Sequence, residues 1–291
     1  MARQRFNITH IVPDPSTRSM MHGLYGYREV IETLQWGLTH IGHDVKVSEN
    51  AFAADRINII LGAQMLSDAK LRQLPQETII YNFEQIGRLK PEEMKPEIKT
   101  VAERFRIWEY SEANFDTWKA LGAANPIVHV AVGWAPILRR IEKPSTQDID
   151  ILLYGLPGQL RLEIFHDLCH HGLKCVFLCG MYGSARDQLI GRSKLVLNIN
   201  SYQSRIFEIV RVSYLLANSK AVVADLQADT FVEPGLSGAI AFSAPDQMLA
   251  TCTRLLETDA ARQRLEEHGR RIIEQRHIVP ILTKAIEESG L

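Results

Sequence analysis

KLVLNINSYQSRIFEIVRVSYLLANSKAVVAD, residues Lys194 to Asp225, is the stretch whose reading decides the fold. Leu195 to Ile199 is a short apolar run that ends in Asn198, Ile199, Asn200 and Ser201. Ile206, Phe207, Val210, Ser213, Tyr214 and Ala217 then recur at three- and four-residue steps, which predicts a helix. Asn218 and Ser219 stop it, and Ala221 to Ala224 form a second apolar run. Strand, polar loop, helix, turn and strand make a βαβ unit. A parallel sheet places its ligand where loops leave the carboxyl ends of strands and helix N-termini point at it. Here that loop carries Asn198, Asn200, Ser201, Tyr202, Gln203, Ser204 and Arg205, with Glu208 one helical turn later. Free helix N–H groups, an arginine and a carboxylate suit an anionic, hydroxyl-bearing ligand such as a nucleotide sugar.

The flanking sequence repeats the same alternation. Arg5 to Val12 reads as a first strand, followed by a loop through Pro13, Asp14 and Pro15 to Gly23. Helical spacing runs from Leu24 to Ile41, Gly42-His43-Asp44 ends it, and Val45 to Val47 begins a second strand. Further strands are read at Ile57 to Leu61, Thr78 to Asn82, Arg106 to Trp108 and Ile127 to Val132. The charged segment Arg139 to Asp148 has no periodicity and reads as a linker. Beyond it, Asp150 to Tyr154 starts a second sheet, with Gly155-Leu156-Pro157-Gly158 as its loop and Arg161 early in the next helix. The expected architecture is α/β, two Rossmann-like domains facing each other across a cleft. Their expected extents are 1–140 and 148–276, with a terminal helix at 277–291.

Bulk properties narrow the class. The chain has 291 residues, 46% hydrophobic and 23% charged, with a net charge of −1, which gives no electrostatic case for nucleic acid as a partner. No run of about eighteen apolar residues occurs, so no transmembrane segment is expected. Four scattered cysteines and no signal-like N-terminus fit a cytoplasmic protein. Cys169, His170, His171, Cys175 and Cys179 cluster without a paired ligand spacing, and buried thiols explain them better than a metal. The histidine and basic residues of the last helices read as a solvated face.

Tyr214 to Val223, YLLANSKAVV, and Phe231 to Ala244, FVEPGLSGAIAFSA, carry a family resemblance. They resemble the donor-binding segment of GT-B glycosyltransferases of the retaining, group-1 type. In those enzymes a helix bearing two glutamates precedes a small-residue turn and an apolar strand. Only Glu208 is present here; Tyr214 stands in place of the second, and Lys220-Ala221 replace glycine- and proline-type residues. The resemblance implies metal-independent transfer of a sugar from a nucleoside-diphosphate sugar donor to a saccharide, lipid-linked or protein acceptor. It implies that the C-terminal domain 148–276 binds the donor and the N-terminal domain 1–140 positions the acceptor, with the terminal helix 277–291 packing back on the N-terminal domain. No cofactor is implied beyond that donor. Two alternatives stay open: an inactive binding or partner subunit of the same fold, suggested by Tyr214 and Lys220-Ala221, and a sugar-nucleotide epimerase.

The expected donor-side residues are Gly155, Arg161, Tyr182, Asn200, Ser204, Arg205 and Glu208. Glycines at a helix N-terminus admit phosphate to backbone N–H groups. Arg161 and Arg205 suit bidentate phosphate contact, whereas Arg211 reads as a surface partner. Glu208 can accept from two vicinal ribose hydroxyls, and Tyr182 can border the base. On the acceptor side Glu84, Glu109 and His22 are the titratable candidates for a general base.

Overall fold

The computed structural model describes residues 3–12, 26–87, 89–200 and 205–291. His22 and Ser204, with Ser201, Tyr202 and Gln203, lie outside the described residues. The chain forms two compact units. One holds the first strand, Tyr27–Ala135 and His277–Leu291; the other holds Pro136–Arg276.

The first unit has strands β1 (Arg5–His10), β2 (Asp44–Glu49), β3 (Ile57–Leu61), β4 (Ile79–Asn82), β5 (Arg106–Glu109) and β6 (Ile127–His129). They pair in the order β2-β1-β3-β4-β5-β6, every pair parallel. Near-continuous apolar strands such as Ile57 to Leu61 are what a sheet covered on both faces requires. Helix α1 (Arg28–Ile41) buries Val30, Ile31, Leu34 and Leu38 along one face. Gly42 ends it at φ 103°, its N–H reaching the Leu38 and Thr39 carbonyls. Helices α2 (Asp68–Gln73), α3 (Pro96–Arg104) and α4 (Phe115–Ala120) fill the other crossovers. The chain's last helix, α10 (Ile278–Glu288), belongs to this unit and packs on α1 at Gly37, where a Cβ would lie 2.7 Å from Leu282 Cδ1. The buried Trp108 indole N–H donates to Ser289 Oγ at 2.9 Å just beyond α10.

The second unit has strands β7 (Ile149–Tyr154), β8 (Cys175–Leu178), β9 (Ser193–Asn198), β10 (Ala221–Asp225) and β11 (Ala241–Ser243). Their order is β11-β10-β9-β7-β8, again all parallel. Helices α5 (Gln159–His170), α6 (Gly183–Arg192), α7 (Ile209–Ala217), α8 (Met248–Glu257) and α9 (Asp259–Glu274) cover it. Ile151, Leu153, Leu195, Leu197, Val223 and Leu168 form the centre of its core. In each sheet the order reverses beside the first strand, between β1 and β3 and between β7 and β9, where parallel sheets open their ligand crevices.

The helical period read from Ile206 begins late. Helix α7 starts at Ile209, because Arg205 to Phe207 is tied to Phe231 instead. Phe207 N–H donates to the Phe231 carbonyl and Phe231 N–H to the Arg205 carbonyl, both at 2.9 Å. Arg205 takes φ 51° to enter that pairing. Glu208 is therefore the N-cap residue of α7, not a residue inside its first turn.

Close packing fixes one glycine. A Cβ on Gly191, within α6, would lie 2.5 Å from the Glu142 carbonyl oxygen. Alanine in a helix is ordinarily favoured over glycine by about 1 kcal/mol. The clash with backbone outweighs that, and Gly191→Ala should lose about 1–3 kcal/mol in urea denaturation. A stabilised variant would contradict the packing.

Candidate nucleotide-binding site

The carboxyl ends of β7 and β9 bring four polar side chains together. Arg161, on the first turn of α5, is almost wholly buried and turns inward. Its Nε donates to the Ile199 carbonyl at 2.7 Å and Nη1 to the Leu156 carbonyl at 2.8 Å, so it ties the two strand-end loops together. Its Nη2 donates to Glu208 Oε1 at 2.9 Å. The other Glu208 oxygen lies 2.9 Å from Arg211 Nη1. One carboxylate thus holds two guanidinium groups, and it does so with only 8% of its side chain exposed. Arg211 is placed further by Asn198 Oδ1 at 3.3 Å and by the Tyr154 ring, 5.2 Å below its Cζ.

Exposure separates the two arginines. The Arg161 side chain is 4% exposed and the Arg211 side chain 20%. Arg161 was the expected phosphate contact, but the donors described above are turned to loop carbonyls and to Glu208. Arg211, read from sequence as a surface partner, is the group that reaches solvent. Three residues from Glu208 on the same helix, it was legible as an ion-pair partner; its inward anchoring was not.

Gly155 stands at the mouth of the β7 loop with φ 129°. A Cβ there would lie 2.9 Å from Arg211 Nη2 and 3.0 Å from Arg161 Nη1. Gly155→Ala should therefore both strain the backbone and displace the guanidinium pair. The expected result is a loss of about 1–3 kcal/mol of stability, read by urea denaturation.

The remaining donor-side residues are distributed around this cluster. Asn200 N–H donates to Asp225 Oδ1 at 2.6 Å, and its amide to the Ile206 carbonyl at 3.3 Å. Asp225, at the end of β10, went unread in the sequence; burial, with the nearby Glu208 charge adding to it, raises its pKa. Tyr182 is the N-cap residue of α6, half-buried, and burial raises its pKa while the Arg211 and Arg186 charges oppose that. Arg205 donates from Nη1 to Gln227 Oε1 and to Asp229 Oδ1, the latter at 3.0 Å, so its charge is taken up by the loop after β10. Tyr214, in place of a second glutamate, is buried, donates to Asp187 Oδ2 at 2.8 Å and accepts from Arg140 Nε at 3.1 Å. Lys220, buried, donates from Nζ to the Ser193 carbonyl, and burial pushes its pKa down to about 8.

In the first unit the acceptor-side candidates separate. Glu109 is 0% exposed and accepts four N–H bonds: Asn82 Nδ2 and Trp118 Nε1 at 2.7 Å, Asn114 Nδ2 at 2.9 Å and Ser111 N at 3.0 Å. It knits β5 to its surroundings from inside the core, with no face toward solvent. Glu84 lies on the turn after β4, half-buried, and accepts from Gln64 Nε2 at 2.7 Å. Burial raises its pKa above the usual carboxylate range. Around it Phe83 packs against Tyr27 and Tyr110, with ring centroids 5.2 and 5.5 Å away, an aromatic cluster the sequence reading did not single out.

Among the described residues no group of three His, Cys, Asp or Glu side chains could hold a metal ion. Cys169 and Cys179 are exposed and Cys175 half-buried, so the buried thiols expected of this cluster are not what the structure shows. Among the described residues no helix is long and apolar enough to cross a membrane.

No protein-family model matches the chain, and no curated protein sequence does. Solved structures do. AviGT4, a glycosyltransferase involved in avilamycin A biosynthesis, is 13% identical at a TM-score of 0.62, covering 99% of this chain and 97% of that one. An alpha-glucosyltransferase in complex with UDP-glucose and DNA is 10% identical at a TM-score of 0.66, covering both chains fully, at 100%. HepE of Anabaena, in complex with UDP-glucose, is 11% identical at 0.63, covering 99% of this chain and 100% of that one. The chain has the GT-B-type α/β fold of these proteins.

Proposed function

We propose that the chain is a glycosyltransferase whose second unit binds a nucleoside-diphosphate sugar at the β7 and β9 strand ends. The observation that carries this reading is the Arg161–Glu208–Arg211 cluster at the sheet's topological switch point. Proteins of similar fold, the alpha-glucosyltransferase and HepE among them, hold UDP-glucose. Here Arg211 contacts the diphosphate, and Glu208 is a positioning residue that fixes it before the donor arrives. Arg161 holds the loop that presents the backbone N–H groups of Leu156 and Gly158, with Gly155 leaving room for the diphosphate.

Transfer breaks the bond between the anomeric carbon and the diphosphate oxygen and forms one to an acceptor hydroxyl. Charge grows on the departing diphosphate and is met by Arg211 and the loop amides, so the proposal calls on no metal and no resident cofactor. The acceptor's proton passes to a base, for which Glu84, with its raised pKa and partial exposure, is the candidate in the first unit. Glu109, enclosed by its four donors, is assigned a structural role.

The test is turnover. UDP-, GDP-, ADP- and TDP-linked sugars are incubated with and without saccharide acceptors, and release of nucleoside diphosphate is followed. One donor should be consumed. Interconversion of the sugar without release would favour an epimerase, and an inert protein that still binds nucleotide would favour a partner subunit.

A further inference from the structure

In the second unit, α8, α9 and the segment before β11 line an open recess of about 450 Å³ that the nucleotide site does not use. Its lining includes Gly238, Arg254, Arg264, Glu267, His268 and Arg271. Arg264, His268 and Arg271 stand four and three residues apart on α9, hence on one face of that helix. Arg254 comes from α8. Arg271 has Glu267 at 3.5 Å, but among the described residues Arg254 and Arg264 form no ion pair. Gly238 keeps the recess open beside the imidazole: at φ 76°, a Cβ there would lie 3.1 Å from His268 Nε2.

The charge is local. Three guanidinium groups face one carboxylate in a chain whose net charge is −1, so bulk composition does not produce this concentration. Exposed arginines on a helix normally spread their charge or pair along the helix face, and on α9 Arg270 does pair, with Glu274 at 2.8 Å. Arg254 and Arg264 instead converge on a concave wall from two different helices. Guanidinium forks match phosphate oxygens bidentately, and two excess positive charges match a dianionic phosphoryl group. We infer that this recess is a second anion site, which takes a small ligand bearing a phosphate or pyrophosphate group. The inference does not depend on the nucleotide site or on the reaction assigned to it.

Sodium pyrophosphate titrated by calorimetry into the full chain and into Arg254→Ser/Arg264→Ser tests it. Both side chains are exposed, so the double variant should keep the wild-type melting temperature. The expected result is the loss of one binding event, or its weakening by at least about tenfold, in the double variant. If the nucleotide site also takes pyrophosphate, two events fall to one; if it does not, one falls to none. A parallel sedimentation with vesicles containing phosphatidic acid separates the sources. Co-sedimentation lost in the double variant assigns a lipid headgroup, and pyrophosphate binding without co-sedimentation assigns a soluble ligand. Wild type and double variant that behave identically in both measurements would overturn the site.

Discussion

Glu109→Ala is expected to destabilise the first unit by at least about 4 kcal/mol, because it strands four buried N–H donors that cost about 1–3 kcal/mol each when unpaired. The donors come from Asn82, Ser111, Asn114 and Trp118, so the damage reaches β4, β5 and α4 together. Glu109→Gln should also destabilise, since an amide NH2 would face donors where a carboxylate oxygen accepts. Urea denaturation checks both, and a Glu109→Ala protein within about 1 kcal/mol of wild type would remove Glu109 from the core's framework. Acidity gives a second signature. Burial pushes the Glu109 pKa up to about 7 against the hydrogen bonds that favour its ionised form. A carboxyl that binds its proton more tightly folded than unfolded contributes stability that is full below the unfolded value, near 4.5. That contribution is lost as pH rises to about 7 and is level above it, a span worth about 3 kcal/mol. Glu109→Gln should flatten this slope between pH 4.5 and 7.

Glu208→Ala is expected to fail in two ways at once. It leaves Arg161, 4% exposed, without its carboxylate, and removing one partner of a buried ion pair costs about 3–5 kcal/mol. The Arg161 bonds to the Ile199 and Leu156 carbonyls remain, which places the loss at the lower end, about 3 kcal/mol. It also releases Arg211, so affinity for nucleoside diphosphates should drop about 100-fold, with inorganic pyrophosphate losing its competition for the same site. A Glu208 that served only to hold ribose hydroxyls would behave differently. Its removal would weaken nucleotide, spare stability and leave pyrophosphate competition intact. Thermal denaturation with competition calorimetry distinguishes the two.

The strands were legible because parallel sheets write themselves as continuous apolar runs such as Leu195 to Ile199 and Ala221 to Ala224. The start of α7 was not, because a non-local pairing between Ile206 and Phe231 overrides the local helical period. The βαβ pattern placed the β9–α7 connection, and the contacts made by the residues around it were not readable from it. Whether Arg161 or Arg211 meets solvent depends on the Tyr154 ring and the carbonyls of Leu156 and Ile199, three contacts spread over some forty residues. Glu109 looks like any strand-end glutamate until Asn82, Asn114 and Trp118 close around it.

The central claim is that Arg211, held by Glu208, is the diphosphate contact of the second unit. Calorimetric titration of UDP, GDP, ADP and TDP into wild type and Arg211→Ala tests it most directly. One nucleotide should bind the wild type, and Arg211→Ala should weaken it at least about tenfold while lowering the urea midpoint less than Glu208→Ala does, since Arg161 still pairs Glu208. Equal affinity in the two proteins, or no binding of any nucleotide at millimolar concentration, would contradict it.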